Sequence, residues 1–263
     1  MRLVLHGHPR PQRFDQKTFL QGLRAVLPAQ VETGERPPLL ETPTDEPVRH
    51  AARIGATRVL DPFRPPHHRV VCSNTEHALE RDILSGVRAP TGRPPPEGEL
   101  YDAAQLSAVA RDLLPVEERR LDIIHLVLTD RLIGTYQRSD GRYHARVILA
   151  GTPHLLSTAG LVEAPARSRG YYAALAQGPA GPGRGALESA LMDEQLVHGD
   201  PRIPHMMVGY ALMAYFWQVH GEAFCSDPHC RLYNAHWQRE LIQAQSGGLC
   251  DHHATMLHHH DAP

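Results

Sequence analysis

Four residues near the end of the chain have the types and the spacing of a zinc site. Cys225 and Cys230 are separated by four residues, and Cys250 and His253 by two, with nineteen residues between the two pairs. Structural zinc is bound by thiolates and imidazoles, and two such short-range pairs can complete one tetrahedron. We therefore expect Cys225, Cys230, Cys250 and His253 to bind one structural zinc ion per chain.

Two alternatives use the same residues. Cys225 and Cys230 could form a disulfide, or the three cysteines could be buried thiols beside a histidine that only packs. Thiols of a protein that is not exported stay reduced, which favours a metal over a disulfide. His229 and His252 are neighbouring candidates for the fourth ligand, and Cys72 is expected to be a buried thiol.

A basic strand is a second candidate site. Residues 142–149 follow a turn at 139–141 and alternate between polar and apolar side chains. This pattern predicts a strand with Arg142, His144 and Arg146 on one face. Two guanidinium groups suit a carboxylate or a phosphate, so Arg142 and Arg146 are candidates for ligand binding and His144 for acid–base chemistry. A solvated strand face with internal ion pairs is the alternative.

Two carboxylates are further candidates for acid–base chemistry. Glu163 precedes a helix predicted over 165–177, where the helix dipole would stabilise its charge. Glu240 lies four residues after His236 on a helix predicted over 232–245, so the two side chains share a face. The structural alternatives are a cap or ion pair for Glu163 and a structural pair for His236 with Glu240. The apolar stripe of this helix is expected to lie in the core and consists of Tyr233, Trp237, Leu241 and Ala244.

Histidine is abundant, at 19 of 263 residues, and two groups outside these segments are also candidate sites. His6 ends the first predicted strand and His8 lies just after it, at the end of the sheet where ligands collect in α/β proteins. His198 and His205 flank Asp200 ahead of a long apolar helix. Ordinary loop histidines are the alternative in both cases.

The C-terminal spacing resembles that of the archaemetzincins, which are zinc metallopeptidases of the metzincin group. That family carries HExxHxxGxxHC, four residues, CxM, seventeen residues and CxxC, and its four cysteines form a structural zinc site. Residues 225–253 match this spacing, with His253 in place of the last cysteine and Leu232 in place of the methionine, while Gly221 falls on the family's glycine. The resemblance implies a metzincin-like fold and a structural zinc.

The catalytic part of the family motif is missing. The three zinc histidines would fall on Ala214, Gln218 and Phe224, and the catalytic glutamate on Tyr215. Metzincin chemistry requires two histidines one turn apart and a glutamate that activates the bound water, so these replacements remove it. The resemblance, which covers 214–263, therefore implies a degenerate member without metzincin-type proteolysis.

The elements that would position these residues predict an α/β protein, with a mixed sheet, flanking helices and a C-terminal helical segment held by zinc. Buried strands are expected over 2–6 and 122–128, and a helix over 206–219 is apolar nearly all round. We expect one compact domain composed of a sheet region over 1–200 and a zinc segment over 201–263. Two Pro-rich stretches are predicted to be surface loops, 34–47 and 90–99.

Charge and hydropathy exclude several classes of protein. The chain has 27 Lys and Arg against 29 Asp and Glu, a net charge of −2, which does not fit a polybasic nucleic-acid binder. The longest apolar run, 208–217, is about half as long as a bilayer span, and the first nine residues are too short for a signal peptide. We expect a cytoplasmic protein that binds neither nucleic acid nor membrane.

These features together predict a zinc-binding protein of metallopeptidase type. We expect it to bind a peptide or small anionic ligand in the cleft that holds the substrate in active metallopeptidases of this fold. In metzincins an extended substrate lies along an edge strand above the active-site helix, and by resemblance we assign 142–148 to that role. An active hydrolase with a site rebuilt from His144, His154, Glu163 or His236 is one alternative. A structural or partner-binding protein is the other.

Overall fold

A computed structural model describes residues 1–66, 72–90, 99–177, 186, 189–191 and 193–259. Within these ranges the chain forms two mixed sheets with flanking helices. The strands are β1 (Arg2–His6), β2 (Glu32–Arg36), β3 (Leu100–Asp102), β4 (Ile123–Thr129), β5 (Leu132–Gln137), β6 (Arg142–Arg146), β7 (Ile148–Leu149) and β8 (His154–Ser157). The helices are α1 (Gln16–Arg24), α2 (Pro47–Ala56), α3 (Asn74–Leu84), α4 (Ala103–Leu113), α5 (Thr158–Glu163), α6 (Arg169–Leu175), α7 (Ile203–His220), α8 (Gln238–Ser246) and α9 (Asp251–His259).

The larger sheet has five strands in the order β2-β1-β4-β8-β7. The first four are parallel, and β7 pairs antiparallel with β8 at the edge. Strand β4 is buried over nearly its whole length because α1 and α7 cover one face of the sheet and α2 and α4 the other. The smaller sheet has the order β3-β5-β6, with β6 antiparallel to β5. Consecutive strands β6 and β7 therefore lie at edges of the two sheets.

Helix α7 is the buried helix that the sequence predicts. Thirteen of its 18 residues are buried, in one core with residues of α1, β1 and β4. Gly209 lets α8 come close, since a Cβ atom there would lie 1.7 Å from Gln245 Oε1. The helix ends at Gly221, whose φ of 75° is left-handed and favours glycine. In the ranges that the structure describes, no helix is both long and apolar enough to cross a membrane.

A buried charge cluster joins α3 to the end of β4. The Arg131 side chain is fully buried and pairs with Glu41 and Glu80, and Tyr101 donates a hydrogen bond to Glu80. Burial raises the pKa of Glu41, while the nearby Arg131 charge acts to lower it. One guanidinium thus balances two carboxylates in the protein interior, where removing a single partner is costly.

The helix prediction over 232–245 is wrong in its first half. Helix α8 begins only at Gln238, because the chain before it pairs with Ala166: the Ala166 amide donates to the His236 carbonyl at 2.7 Å, and the Gln238 amide to the Ala166 carbonyl at 2.8 Å. Trp237 is consequently 41% exposed rather than part of the core. Tyr233 is half-buried, whereas Leu241 and Ala244 are buried as predicted.

The helix predicted over 165–177 is also shorter than expected, since only α6 forms there. The preceding helix α5 ends at Glu163, so this carboxylate lies at the carboxyl end of a helix and not at the amino end of one. It is stabilised there by its neighbours Arg167 and His198, at 3.7 and 3.0 Å.

Two further boundaries differ from the sequence prediction. The strand predicted over 142–149 is interrupted at Val147, which separates the two edge strands. Strand β2 pairs with β1 as far as Arg36, and Leu39 and Leu40 are buried, so much of 34–47 is not an exposed loop. The loop predicted over 90–99 lies, apart from its first and last residues, outside the described part of the chain.

Candidate metal centre and cleft

The four predicted zinc ligands lie together. Cys225 and Cys230 belong to the loop that follows α7, Cys250 immediately precedes α9, and His253 lies in the first turn of α9. One potential ligand atom from each of them lies within 4.8 Å of the others. The loop is held in shape by backbone bonds, with the Cys225 amide donating to the Leu232 carbonyl at 2.9 Å.

The distances within this cluster are close to those of a tetrahedral zinc site. Zinc bonds of about 2.3 Å to sulfur and about 2.0 Å to nitrogen place ligand atoms roughly 3.5–3.8 Å apart. Cys225 Sγ lies 3.9 Å from Cys250 Sγ, and Cys230 Sγ lies 3.8 Å from His253 Nδ1. Cys250 Sγ is nearer to His253 Nδ1, at 3.0 Å. All three cysteines are free, so the alternative disulfide between Cys225 and Cys230 does not form in this structure.

The surroundings of the cluster suit a cation bound by thiolates. Amide groups point at the sulfurs, with the Asp227 amide 3.3 Å from Cys225 Sγ and the Cys250 amide 3.4 Å from Cys230 Sγ. Burial raises the pKa of the Cys230 thiol to about 12, so without a cation this ligand is protonated at neutral pH. The donor set and its geometry therefore fit zinc.

Of the two neighbouring histidines, the buried one faces the sulfur atoms of the cluster. His253 is 3% exposed and packs edge-on against Phe216, whereas His252 faces solvent. In the described residues, His253 Nε2 has no hydrogen-bond partner, while Nδ1 is the nitrogen that faces the sulfurs. A carboxylate oxygen of Glu222 lies within 4.8 Å of a ring nitrogen of His253. His229 is exposed and contacts Asp227 instead.

A cleft of about 510 Å³ lies beside this metal centre. Its lining includes residues of the edge strands β6 and β7, the α7 residues Tyr210 and Trp217, Phe224 and the segment 234–236. The wall residue Phe224 directly precedes the candidate ligand Cys225. The cleft and the metal centre thus share one loop.

The positions where a metzincin holds its catalytic metal carry no ligand cluster. Ala214 and Tyr215 are buried in the core, and Phe224 is half exposed in the cleft wall. Gln218 uses its side chain in a structural role: its Nε2 donates to the Leu121 carbonyl at 2.8 Å, and its Oε1 accepts from His154 Nε2 at 2.7 Å. His154 is therefore committed to this buried contact.

Two of the three basic strand residues face the cleft. His144 and Arg146 line it, and Arg146 Nε donates to Thr135 Oγ1 at 2.8 Å. Arg142 is not among the lining residues and pairs with Asp140 at 3.1 Å. His144 also contacts Asp140, at 2.6 Å. The predicted grouping with Glu163 does not form, because that carboxylate pairs with Arg167 and His198 instead.

The other predicted acid–base pair is placed differently from expectation. His236 lines the cleft, but Glu240 accepts hydrogen bonds from the backbone amides of His236 and Trp237, at 3.0 and 3.2 Å. Glu240 thereby caps the first turn of α8.

Sequence reasoning missed the aromatic side of the cleft. Tyr210 and Trp217 are seven residues apart on α7, a spacing that is typical of a core face and that gave no indication of a ligand surface. The exposure of Trp217, 37%, is what distinguishes it from its buried neighbours.

Of the comparisons with known proteins, the match to a family model is the one that identifies the chain. No curated protein matches it. Among solved structures it is similar to the crystal structure of a zinc-dependent peptidase from Methanocorpusculum labreanum (strain Z), at 12% sequence identity, covering 97% of this chain and 98% of that one, with a TM-score of 0.45. The model of a probable metallopeptidase family, DUF6775, matches residues 1–260. The chain belongs to this probable metallopeptidase family.

Proposed function

We propose that Cys225, Cys230, Cys250 and His253 bind one zinc ion that holds the loop after α7 in place. The support is the clustering of four zinc-type ligands at near-tetrahedral distances. Bound zinc contributes directly to the folding free energy of such a segment. Its three thiolates favour a reducing compartment, and we place the protein in the cytoplasm.

Glu222 is suited to orient the zinc-binding imidazole. When Nδ1 of a histidine binds metal, its other nitrogen carries a proton and usually donates it to a carboxylate or carbonyl. The neighbouring Glu222 carboxylate can accept that proton from His253 after a small side-chain movement. We expect Glu222→Gln to weaken zinc binding about tenfold, measured by competition with a chromogenic chelator.

We further propose that the protein is a non-proteolytic member of its family and binds an extended peptide in the cleft. The observation that carries this proposal is the cleft itself, which joins a sheet edge to exposed aromatic side chains and one arginine. An antiparallel peptide strand can add to β7, which ends the larger sheet. Trp217 and Phe224 offer apolar contacts, and Arg146 offers a two-pronged contact to a peptide carboxylate.

The residues that face the cleft support a non-proteolytic role. In the described residues, groups of three or more potential metal ligands occur only at the cysteine cluster and at Glu222, His252 and His253. None of these residues lines the cleft. A water-activating zinc needs three protein ligands and a base, and no such set forms between the sheet edge and α7 in this part of the chain.

Peptide binding can be measured by tryptophan fluorescence, because the chain has two tryptophans and one of them lines the cleft. In a Trp237→Phe background, the emission of Trp217 should shift as a peptide library with free carboxylates is titrated. Arg146→Gln should weaken binding at least about tenfold, the value of a charge-assisted hydrogen bond. The matched control is Arg142→Gln on the same strand, since Arg142 does not line the cleft.

Equal losses in the two arginine variants, or no response of Trp217 to any peptide, would exclude the proposed binding mode. The alternative of an active hydrolase predicts cleavage of the same peptides. Cleavage that is abolished by a chelator and co-purifies with the protein would support that alternative and exclude ours.

A further inference from the structure

A second cavity, of about 270 Å³, lies at the carboxyl ends of the parallel strands of the larger sheet. We call it the strand-end pocket, and the residues that matter for the argument are His8, Arg13, Asp130, Thr158 and His198. It shares no lining residue with the peptide cleft. The zinc ligands do not reach it either.

The topology of the sheet makes this position special. His8 follows β1 by two residues, Asp130 follows β4 directly, and Thr158 follows β8 directly. From β1 the chain continues to β2 on one side, and from β4 it later reaches β8 on the other side. Ligands of open α/β sheets bind at the carboxyl ends of strands where the chain departs in opposite directions.

Buried polar side chains in the pocket are fixed by hydrogen bonds. His8 Nδ1 lies 3.1 Å from the Arg10 amide nitrogen and 3.0 Å from the Arg10 carbonyl oxygen, and His8 Nε2 lies within hydrogen-bond distance of Thr158 Oγ1, at 3.0 Å. The Thr158 hydroxyl in turn donates to the Thr129 carbonyl at 3.3 Å. The His8 side chain is only 4% exposed, so its neighbours hold it in one position beside the pocket.

The charges around the pocket do not cancel. Asp130 is paired with Arg10 at 2.5 Å, and His198 contacts the Glu163 carboxylate at 3.0 Å. Arg13 lines the pocket, and in the part of the chain that the structure describes no carboxylate pairs with it. One arginine is therefore left to face the cavity, close to the buried His8 and Thr158.

We propose that the strand-end pocket binds a small anion, the carboxylate or phosphate group of a molecule that fits within its volume. Arg13 supplies the charge and a two-pronged contact, and His198 at the rim supplies a second polar contact. This site is independent of the peptide cleft and of the zinc, so it persists if either of those assignments fails.

Calorimetric titration of the zinc-loaded protein with inorganic phosphate, and separately with succinate, tests the proposal. We expect at least one of the two to bind at millimolar concentration or below, and the one that binds identifies the acidic group. Arg13→Gln should weaken that binding at least about tenfold. Because Arg13 is exposed and unpaired among the described residues, this substitution should leave the melting temperature unchanged.

The matched control is Arg24→Gln, which removes an exposed arginine of α1 that pairs with Glu35 at 3.3 Å and does not line the pocket. It should bind the anion as the wild type does. His198→Gln removes the second polar contact and should also weaken binding. Failure of both anions to bind, or equal affinity in the wild type and Arg13→Gln, would overturn the proposal.

Discussion

Loss of the proposed zinc should lower the free energy of unfolding by an amount that depends on the length of the loop that the metal closes. A metal bridge from Cys225 to His253 closes a loop of 29 residues. Treated as a cross-link, such a loop costs the unfolded chain about 3–4 kcal/mol of conformational entropy at 25 °C. For a chain of 263 residues, each kcal/mol corresponds to roughly 2 °C, so the melting temperature should fall by about 6–8 °C.

The variants Cys250→Ser and His253→Ala measure this effect, by calorimetry and by zinc content per chain. His252→Ala is the matched control, because His252 is the exposed neighbour of His253 on the same helix turn. We expect one zinc per chain in the wild type and in the control, with little or none in the other two variants. A zinc content and melting temperature that do not change in Cys250→Ser would refute the assignment.

Three further outcomes follow from buried groups and missing ligands. Gln218→His places a histidine where the family resemblance puts a metal ligand, and it should yield no casein cleavage because a single ligand cannot hold a catalytic zinc; chelator-sensitive cleavage would contradict this. The lost contact to His154 should lower the free energy of unfolding by about 1–3 kcal/mol. Burial lowers the pKa of His154 to about 4 and that of His6 to about 3, so between pH 6.5 and 4 the unfolded chain binds protons at these residues that the folded chain does not. His154 alone should lower the free energy of unfolding by about 3 kcal/mol over this range, so urea unfolding should show at least that loss, and a flat profile would contradict it. Arg131→Met leaves Glu41 and Glu80 buried without their cation and should cost about 3–5 kcal/mol in urea unfolding, whereas a loss below about 1 kcal/mol would show that the cluster is not needed.

The clustering of the four candidate zinc ligands was accessible to sequence reasoning because each pair is local. Spacings of four and two residues bring ligands together through a short loop and one helix turn, and only the meeting of the two pairs depends on the fold. The buried helix α7 was equally accessible, since an apolar residue at nearly every position leaves no face for water.

The cleft was not accessible, because its walls come from distant parts of the chain. Trp217 and Arg146 face the same cavity only after the sheet and α7 have packed. Long-range pairing also explains the error around Trp237: the period of four residues indicates a helix, but two backbone bonds to Ala166 hold this stretch extended. Glu163 was misplaced because the proline after it indicates the start of a helix, whereas here it follows the end of one.

The shortness of β7 has a consequence for self-association. An unpaired edge strand invites other chains to extend the sheet, and proteins often limit this risk by keeping such edges short. With two residues, Ile148 and Leu149, β7 gives an arriving strand few main-chain hydrogen bonds. An unrelated strand would therefore gain little binding free energy from β7. The proposed peptide must obtain most of its affinity from the side chains that line the cleft. The short edge thus favours selective binding, because main-chain hydrogen bonds alone are too few to hold a strand that lacks the matching side chains.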